Sequence, residues 1–178
     1  MGSGKESVMP EAIVFSTIPT KILAPVDFSP SSRAAVESAA DLAQHFDAAL
    51  HLVHVIPMFP ATTLPDFIPE TKFTEEATKE AERHFAAVIA DLSGKGIKVT
   101  SSVETGDDVA SSLLEVVESE KADMVVISTH GLTGWHPLVF GSIAEKVLKL
   151  VACPVLLLRT PKPASSAKVA SGRLMEWW

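Results

Sequence analysis

The chain has 178 residues, the length of one ordinary domain with short tails, and its 47% hydrophobic and 21% charged residues are typical of a globular protein. The formal net charge of −7 argues against a general binder of nucleic acid or of anionic membranes. The single cysteine, Cys153, excludes an internal disulfide framework and favours the cytoplasm. No apolar run approaches the roughly 20 residues of a membrane span.

Apolar runs alternate with segments of helical periodicity through the middle of the chain. Short, almost continuously apolar runs predict strands that are buried on both faces, over 21–26, 49–56, 97–104, 124–128 and 154–159. Ser29 before Pro30 is typical of an N-cap followed by a helical proline. Apolar residues at helical spacing predict helices over roughly 30–46, 77–92, 106–117 and 142–151, and the prolines of 57–70 predict a loop.

This alternation predicts an α/β fold, a doubly wound parallel sheet of five strands with helices on both faces. We expect the domain over 19–160, between an N-terminal tail (1–18) and a C-terminal tail (161–178). Ligands bind such sheets beyond the carboxyl ends of the strands, where the strand order reverses. We therefore expect the end of the first strand, at 25–27, to meet the segment from Ser128 to Ser142.

The segment from Ser128 to Ser142 has the most specific pattern in the chain. It reads Ser-Thr-His-Gly at 128–131, then nine residues, then Gly141 and Ser142, and it joins an apolar strand to an amphipathic helix. Backbone N–H groups of a glycine-bearing loop and the dipole at a helix N-terminus favour an anion. The pattern therefore predicts that the chain holds a nucleotide by its phosphates.

The same residues also have structural interpretations. Gly131 and Gly134 are typical of turns, and Ser142 with Glu145 predicts an S-x-x-E capping box that alone would explain both residues. His130, between strand and loop, is more typical of a packing or hydrogen-bonding residue than of a catalytic one. Both interpretations of Ser142 are compatible, because its hydroxyl can cap the helix while backbone N–H groups meet a phosphate.

The sequence predicts neither a catalytic residue nor a metal site. The six histidines show no metal-ligand spacing, and the segment from Gly131 to Ser142 contains no lysine for phosphoryl transfer. Fast ATP turnover is therefore not expected, while slow hydrolysis or a stably bound nucleotide both stay open.

Taken together, several short motifs resemble the universal stress protein family. They are Ala24-Pro25-Val26-Asp27-Phe28-Ser29, Val53-His54-Val55, Thr129-His130-Gly131, Gly141-Ser142 and Cys153-Pro154-Val155. The resemblance covers about Thr20 to Arg159 and implies a Rossmann-like fold, similar to the adenine nucleotide alpha hydrolases, with strand order 3-2-1-4-5. It also implies that the chain binds ATP, or alternatively AMP or ADP, and that Mg²⁺ is bound through the phosphates.

The resemblance further implies which residues bind the nucleotide. Asp27 would lie near the ribose or the adenine, and the backbone of Val55 would form hydrogen bonds with the adenine. Asp27 could alternatively be an N-terminal residue of the first helix. The full set is Pro25, Val26, Asp27, Val55, Ile127, Ser128, His130, Gly131, Gly134, Gly141, Ser142 and Ile143.

This chain departs from the pattern of the ATP-binding members at Ser128, where they have glycine. A negative φ there makes serine harmless, whereas a positive φ would cost about 1–3 kcal/mol.

The last predicted strand is an apolar sheet edge, and such edges are normally covered or paired. The resemblance implies a homodimer through this strand, which carries Val155, Leu156, Leu157 and Leu158. We expect a cytoplasmic, nucleotide-dependent switch in stress response or signalling that acts on unknown protein partners. A dimeric adaptor of the same fold that binds no nucleotide, and a slow ATPase, stay open as alternatives.

Overall fold

The computed structural model describes residues 18–58, 70–129 and 141–159. These ranges form a parallel sheet in the order β3-β2-β1-β4-β5, which confirms the predicted fold class and strand order. The strands are β1 (Lys21–Pro25), β2 (Ala49–Pro57), β3 (Val99–Gly106), β4 (Met124–Ser128) and β5 (Val155–Leu158). The helices are α1 (Pro30–Phe46), α2 (Glu70–Gly94), α3 (Val109–Ser119) and α4 (Ser142–Leu150). The predicted tails, apart from Ile18, and the greater part of the predicted loop over 57–70 lie outside the described residues.

Hydrogen bonds at the helix ends explain where the prediction of elements succeeded and where it was wrong. The Ser29 hydroxyl accepts a hydrogen bond from Ser32 N at 3.1 Å and caps α1, as predicted. The third strand begins two residues later than predicted, because Ile97 N donates to Leu92 O at 3.1 Å and so closes the end of α2. Its ladder with β2 therefore starts at Val99.

Helices cover both faces of the sheet. Successive strand residues point to opposite sides, so Ile22 and Ala24 pack in the layer formed with α1 and α2. Leu23 packs in the opposite layer, with residues of α3 and α4. The central strands are thereby buried on both faces, which is why they appear in the sequence as continuous apolar runs.

Asp123 ties the beginning of β1 to the beginning of β4. Its carboxylate accepts hydrogen bonds from Thr20 N at 2.9 Å, Lys21 N at 3.0 Å and the Thr20 hydroxyl at 2.6 Å. Asp123 N in turn donates to Lys21 O at 3.0 Å. These bonds set the register of the two central strands at their amino ends.

The two central strands diverge toward their carboxyl ends. They are paired at 22–23 of β1 against 124–125 of β4. Beyond these residues, β1 stays paired with β2 as far as Pro25, and β4 stays paired with β5 as far as Ser128. A crevice therefore opens between β1 and β4, at the position where the strand order reverses.

A buried histidine lies near the amino end of β2. His51 is 2% exposed, its Nδ1 is 2.8 Å from the Thr100 hydroxyl, and its Nε2 is 3.2 Å from the Ser102 hydroxyl. Burial lowers the pKa of His51, and the carboxylate of Glu120, 3.9 Å away, opposes that shift. The folded state therefore holds this imidazole in its neutral form.

We expect the free energy of unfolding to decrease as the pH falls from 7 to 5. The histidine of the unfolded chain binds a proton at higher pH than buried His51, so protonation favours unfolding by at most about 1.4 kcal/mol per pH unit for this group. Urea midpoints across this range measure the effect. His51→Gln, which keeps hydrogen-bonding groups but does not titrate, should make the slope shallower, and an unchanged slope would contradict this account.

Candidate functional site

A cavity of about 350 Å³ lies where β1 and β4 diverge. Its walls come from the carboxyl ends of β1, β2 and β4 and from the amino ends of α3 and α4. All the predicted site residues that the structure describes surround it: Pro25, Val26, Asp27, Val55, Ile127, Ser128, Gly141, Ser142 and Ile143. The other predicted residues, His130, Gly131 and Gly134, lie outside the described residues.

Two hydrogen bonds hold the chain as it leaves β1. Val26 N donates to Val53 O at 2.8 Å, and Val26 O accepts a hydrogen bond from His54 Nδ1 at 2.7 Å. Burial lowers the pKa of His54, although the Val26 carbonyl and the Asp27 carboxylate oppose this shift. The neutral imidazole thus carries its proton on Nδ1 and anchors the end of β1 from the neighbouring strand.

A sharp turn at Phe28 follows β1 and orients Asp27. Phe28 has a φ of +60°, in the left-handed region that non-glycine residues rarely adopt. Its ring packs on His54, with centroids 4.7 Å apart, and on Phe85 at 5.8 Å. In this turn Asp27 Oδ1 accepts a hydrogen bond from Ser29 N at 3.0 Å. Asp27 therefore precedes the N-cap of α1 by two residues, and the alternative that placed it within the helix is wrong.

Ser128 fits its position without backbone strain. It is the last residue of β4 and pairs with Leu158 of β5. The positive φ values in the described part of the chain belong to Phe28, Asp47, Lys121 and Gly96. Serine at 128 therefore avoids the cost that a left-handed backbone would impose, and the backbone conformation at this position does not require glycine.

A backbone hydrogen bond joins the two ends of segment 130–140. Gly141 N donates to Thr129 O at 2.8 Å, while Thr129 N donates to Leu158 O at 2.9 Å. A Cβ atom on Gly141 would lie 3.0 Å from the same Thr129 oxygen. Because the φ of Gly141 is −58°, glycine is needed here for close backbone approach and not for an unusual conformation.

The amino end of α4 opens onto the cavity. Gly141 is its N-cap residue and makes no side-chain hydrogen bond to the helix. The predicted capping box is therefore wrong: Ser142 is already the first helical residue, and the Glu145 carboxylate accepts a hydrogen bond from Lys149 Nζ at 2.6 Å. The first turn of α4, at 142–144, lines the cavity, where its N–H groups and the helix dipole favour an anion.

Sequence reasoning missed several residues around the cavity. Val109 and Leu113 of α3 line it, but in the sequence their helical spacing is the same as that of ordinary core residues. His54 was visible within the motif Val53-His54-Val55, yet only the structure shows what its ring contacts.

The described residues form neither a metal site nor a membrane span. Within 18–58, 70–129 and 141–159, no three His, Cys, Asp or Glu side chains come together in a group that could hold a metal ion. None of the described helices has the length and apolar composition required to cross a membrane.

Cys153 is half-buried against the α3–α4 layer, and burial raises the pKa of its thiol, as expected of a packing residue.

The sequence model of the universal stress protein family matches residues 19–159. This chain belongs to that family. A universal stress protein of Methanocaldococcus jannaschii is 32% identical over 142 residues, which are 80% of this chain and 83% of that protein. The solved structure of the hypothetical protein MJ0577 is similar with a TM-score of 0.72 and 25% identity, over 82% of this chain and 99% of the other.

Two more distant universal stress protein structures were solved with nucleotides. One, in complex with cAMP, has 19% identity and a TM-score of 0.55 over 80% of this chain and 98% of its own. The other, from Archaeoglobus fulgidus in complex with dAMP, has 17% identity and a TM-score of 0.53 over 79% of this chain and 98% of its own. Their likeness to this universal stress protein is a likeness of fold.

We expect Gly141→Ala to destabilise this universal stress protein by about 1–3 kcal/mol, because the added methyl group presses on the Thr129 carbonyl. Urea unfolding measures the change. Gly94→Ala is the matched control, since nothing lies within 4 Å of a Cβ at the end of α2. That control should be neutral or stabilising by up to about 1 kcal/mol. Equal midpoints for the two variants would contradict the close-approach argument.

Proposed function

We propose that this chain is a cytoplasmic universal stress protein that binds ATP in the cavity between β1 and β4. The observation that carries the proposal is the amino end of α4, which opens without a side-chain cap onto a largely apolar cavity. Such a helix end favours phosphate. The relatives solved with cAMP and dAMP support an adenine nucleotide as the class of ligand.

The cavity has the size and the polarity that a nucleotide needs. Its volume of about 350 Å³ lies within the range of ligand pockets, about 300–1,000 Å³. Apolar side chains such as Val109 and Ile127 suit the adenine, and the Asp27 carboxylate can accept hydrogen bonds from ribose hydroxyls. Phosphates would lie at 141–144 and carry Mg²⁺, which commonly binds to proteins through substrate phosphates.

Two backbone hydrogen bonds connect the proposed phosphate site to the edge strand of the sheet. A phosphate at the first turn of α4 would act on Gly141, which is bonded to Thr129, and Thr129 is bonded to Leu158 of the edge strand. We propose that ATP in this way changes the surface that the protein offers to its partners. The function is then that of a nucleotide-dependent switch in stress response or signalling.

We expect Val109→Trp to abolish ATP binding, because the indole would fill part of the cavity that half-buried Val109 lines. Ser119→Trp adds the same ring at an exposed position at the other end of the same helix and should bind ATP normally. Nucleotide released from denatured protein is identified by mass spectrometry, and Mg²⁺–ATP is then titrated into stripped protein by calorimetry. Wild-type protein that neither carries nor binds nucleotide would contradict the proposal and favour the adaptor.

We also propose that the chain forms a homodimer through β5. This strand is an edge of the sheet, and its Leu156 is 37% exposed. Leu148 and Leu150 of the preceding helix are 45% and 57% exposed. An apolar edge of this kind offers unpaired backbone groups together with apolar side chains, and pairing with a second copy would cover both.

We expect Leu156→Glu to convert the dimer into monomer, because two carboxylates would be brought together at the paired edge. Phe73→Glu is the control, since Phe73 is similarly exposed at 40% but lies on α2. Sedimentation velocity over a range of concentrations distinguishes the species. A monomeric wild-type protein, or the same dimer in both variants, would contradict assembly through β5.

A further inference from the structure

An ion pair joins the two helices that flank the cavity. Asp108 is the N-cap of α3, where its Oδ1 accepts a hydrogen bond from Ser111 N at 2.9 Å. Its Oδ2 accepts a hydrogen bond from the ammonium group of Lys146 on α4. Two hydrogen bonds, the stronger contribution from Lys146 and the next from Ser111 N, lower the pKa of Asp108 to about 2. The carboxylate is therefore ionised at neutral pH, and both side chains stay 46% exposed.

This ion pair lies beside the cavity. Val109, the residue after Asp108, lines the cavity, and so does Ser142, which lies one turn before Lys146 on α4. Residues four apart share one face of a helix, and helical side chains lean toward the amino end. The Lys146 side chain therefore extends from the face of α4 that carries Ser142 and toward the end of the helix that opens onto the cavity.

The described lining of the cavity contains neither lysine nor arginine, so no side chain of that lining matches the charge of a nucleoside triphosphate. Segment 130–140 contains neither residue in its sequence, and the chain as a whole carries a formal charge of −7. Lys146 is a cation beside the proposed phosphate site, and the Asp108 carboxylate already holds it there.

We propose that Lys146 leaves Asp108 when ATP binds and pairs instead with the terminal phosphates, so that the ion pair is a latch that the ligand opens. The inference rests on the proposed function and makes the site selective for nucleoside polyphosphates over nucleosides. The flexible stem and point charge of lysine suit such an exchange. Asp108 keeps its hydrogen bond from Ser111 N, so the N-cap of α3 survives when the latch opens.

Calorimetric titration of Mg²⁺–ATP and of adenosine tests the role of Lys146. Lys146→Gln should weaken ATP binding about tenfold, the effect of losing one charge-assisted hydrogen bond, and should leave adenosine binding unchanged. Lys149→Gln is the matched control, because it removes the same charge from the same helix but from a pair made with Glu145. The control should weaken ATP binding by less than about twofold, since its effect is long-range and screened by salt.

A second pair of variants tests the carboxylate that holds the latch. Asp108→Asn keeps an acceptor for Ser111 N but releases Lys146, so ATP should bind about three- to fivefold more tightly. Asp107→Asn removes the same charge from the exposed neighbouring residue and should have a smaller effect. Equal ATP affinities for Asp108→Asn and Asp107→Asn would overturn the latch.

The remaining outcomes separate the two levels of the proposal. If wild-type protein binds ATP but Lys146→Gln behaves like Lys149→Gln, the latch is wrong and the ATP site stands. If wild-type protein binds neither ATP nor adenosine, the proposed function fails and the latch fails with it. Urea midpoints of the Lys146 and Lys149 variants verify that a difference in affinity does not arise from unfolding.

Discussion

The site depends on the short pairing between β1 and β4. Asp123 joins their amino ends by accepting three hydrogen bonds from Thr20, which precedes β1, and from Lys21, its first residue. β1 and β4 are paired with each other only over their first residues. Further along, β1 pairs with β2 and β4 pairs with β5. Because the strand order reverses at this point, a crevice opens between the carboxyl ends of β1 and β4. The cavity is therefore a consequence of sheet topology, and the residues around it decide what it holds.

One of the three non-glycine residues with a positive φ in the described ranges, Phe28, lies next to the cavity residue Asp27. Phe28 keeps its unfavourable left-handed backbone because its ring packs on His54 and Phe85. Such strain persists only where surrounding contacts over-determine it. The packed ring of Phe28 and the hydrogen bond from His54 to Val26 O together fix the turn that carries Asp27. The packing of the core thus fixes the geometry of the turn beside the cavity.

The fold was predictable from the sequence because its signals are periodic and local. Buried parallel strands appear as continuous apolar runs, and the cap at Ser29 marks the beginning of α1. The predicted boundary of β3 was wrong because a hydrogen bond competes with strand propensity: Ile97 N bonds Leu92 O at the end of α2 and so does not begin β3. The predicted capping box was wrong for a related reason: Glu145 N donates to Gly141 O at 2.9 Å, so Gly141, and not Ser142, is the N-cap residue of α4.

Contacts between distant parts of the chain could not be predicted from the sequence. Asp123 and Thr20 are 103 positions apart, and Asp108 and Lys146 are 38 apart. Neither pair belongs to a recognisable motif, since a carboxylate and its donor can be brought together by any fold. The sequence could therefore indicate the strand ends that meet at the cavity, but the ion pair beside it emerged only from the folded structure.

The electrostatics of this chain bear on how it would bind a polyanion. Backbone N–H groups at the beginning of α4 are already oriented by the helix, so they lose no side-chain freedom when a phosphate arrives. A lysine fixed inside the cavity would add attraction, but it would also leave an unpaired charge beside apolar walls when the cavity is empty. Lys146 avoids that cost because Asp108 neutralises it at the edge. Under the latch proposal, the carboxylate and the phosphates share one cation, and selectivity for the charged ligand arises from that exchange.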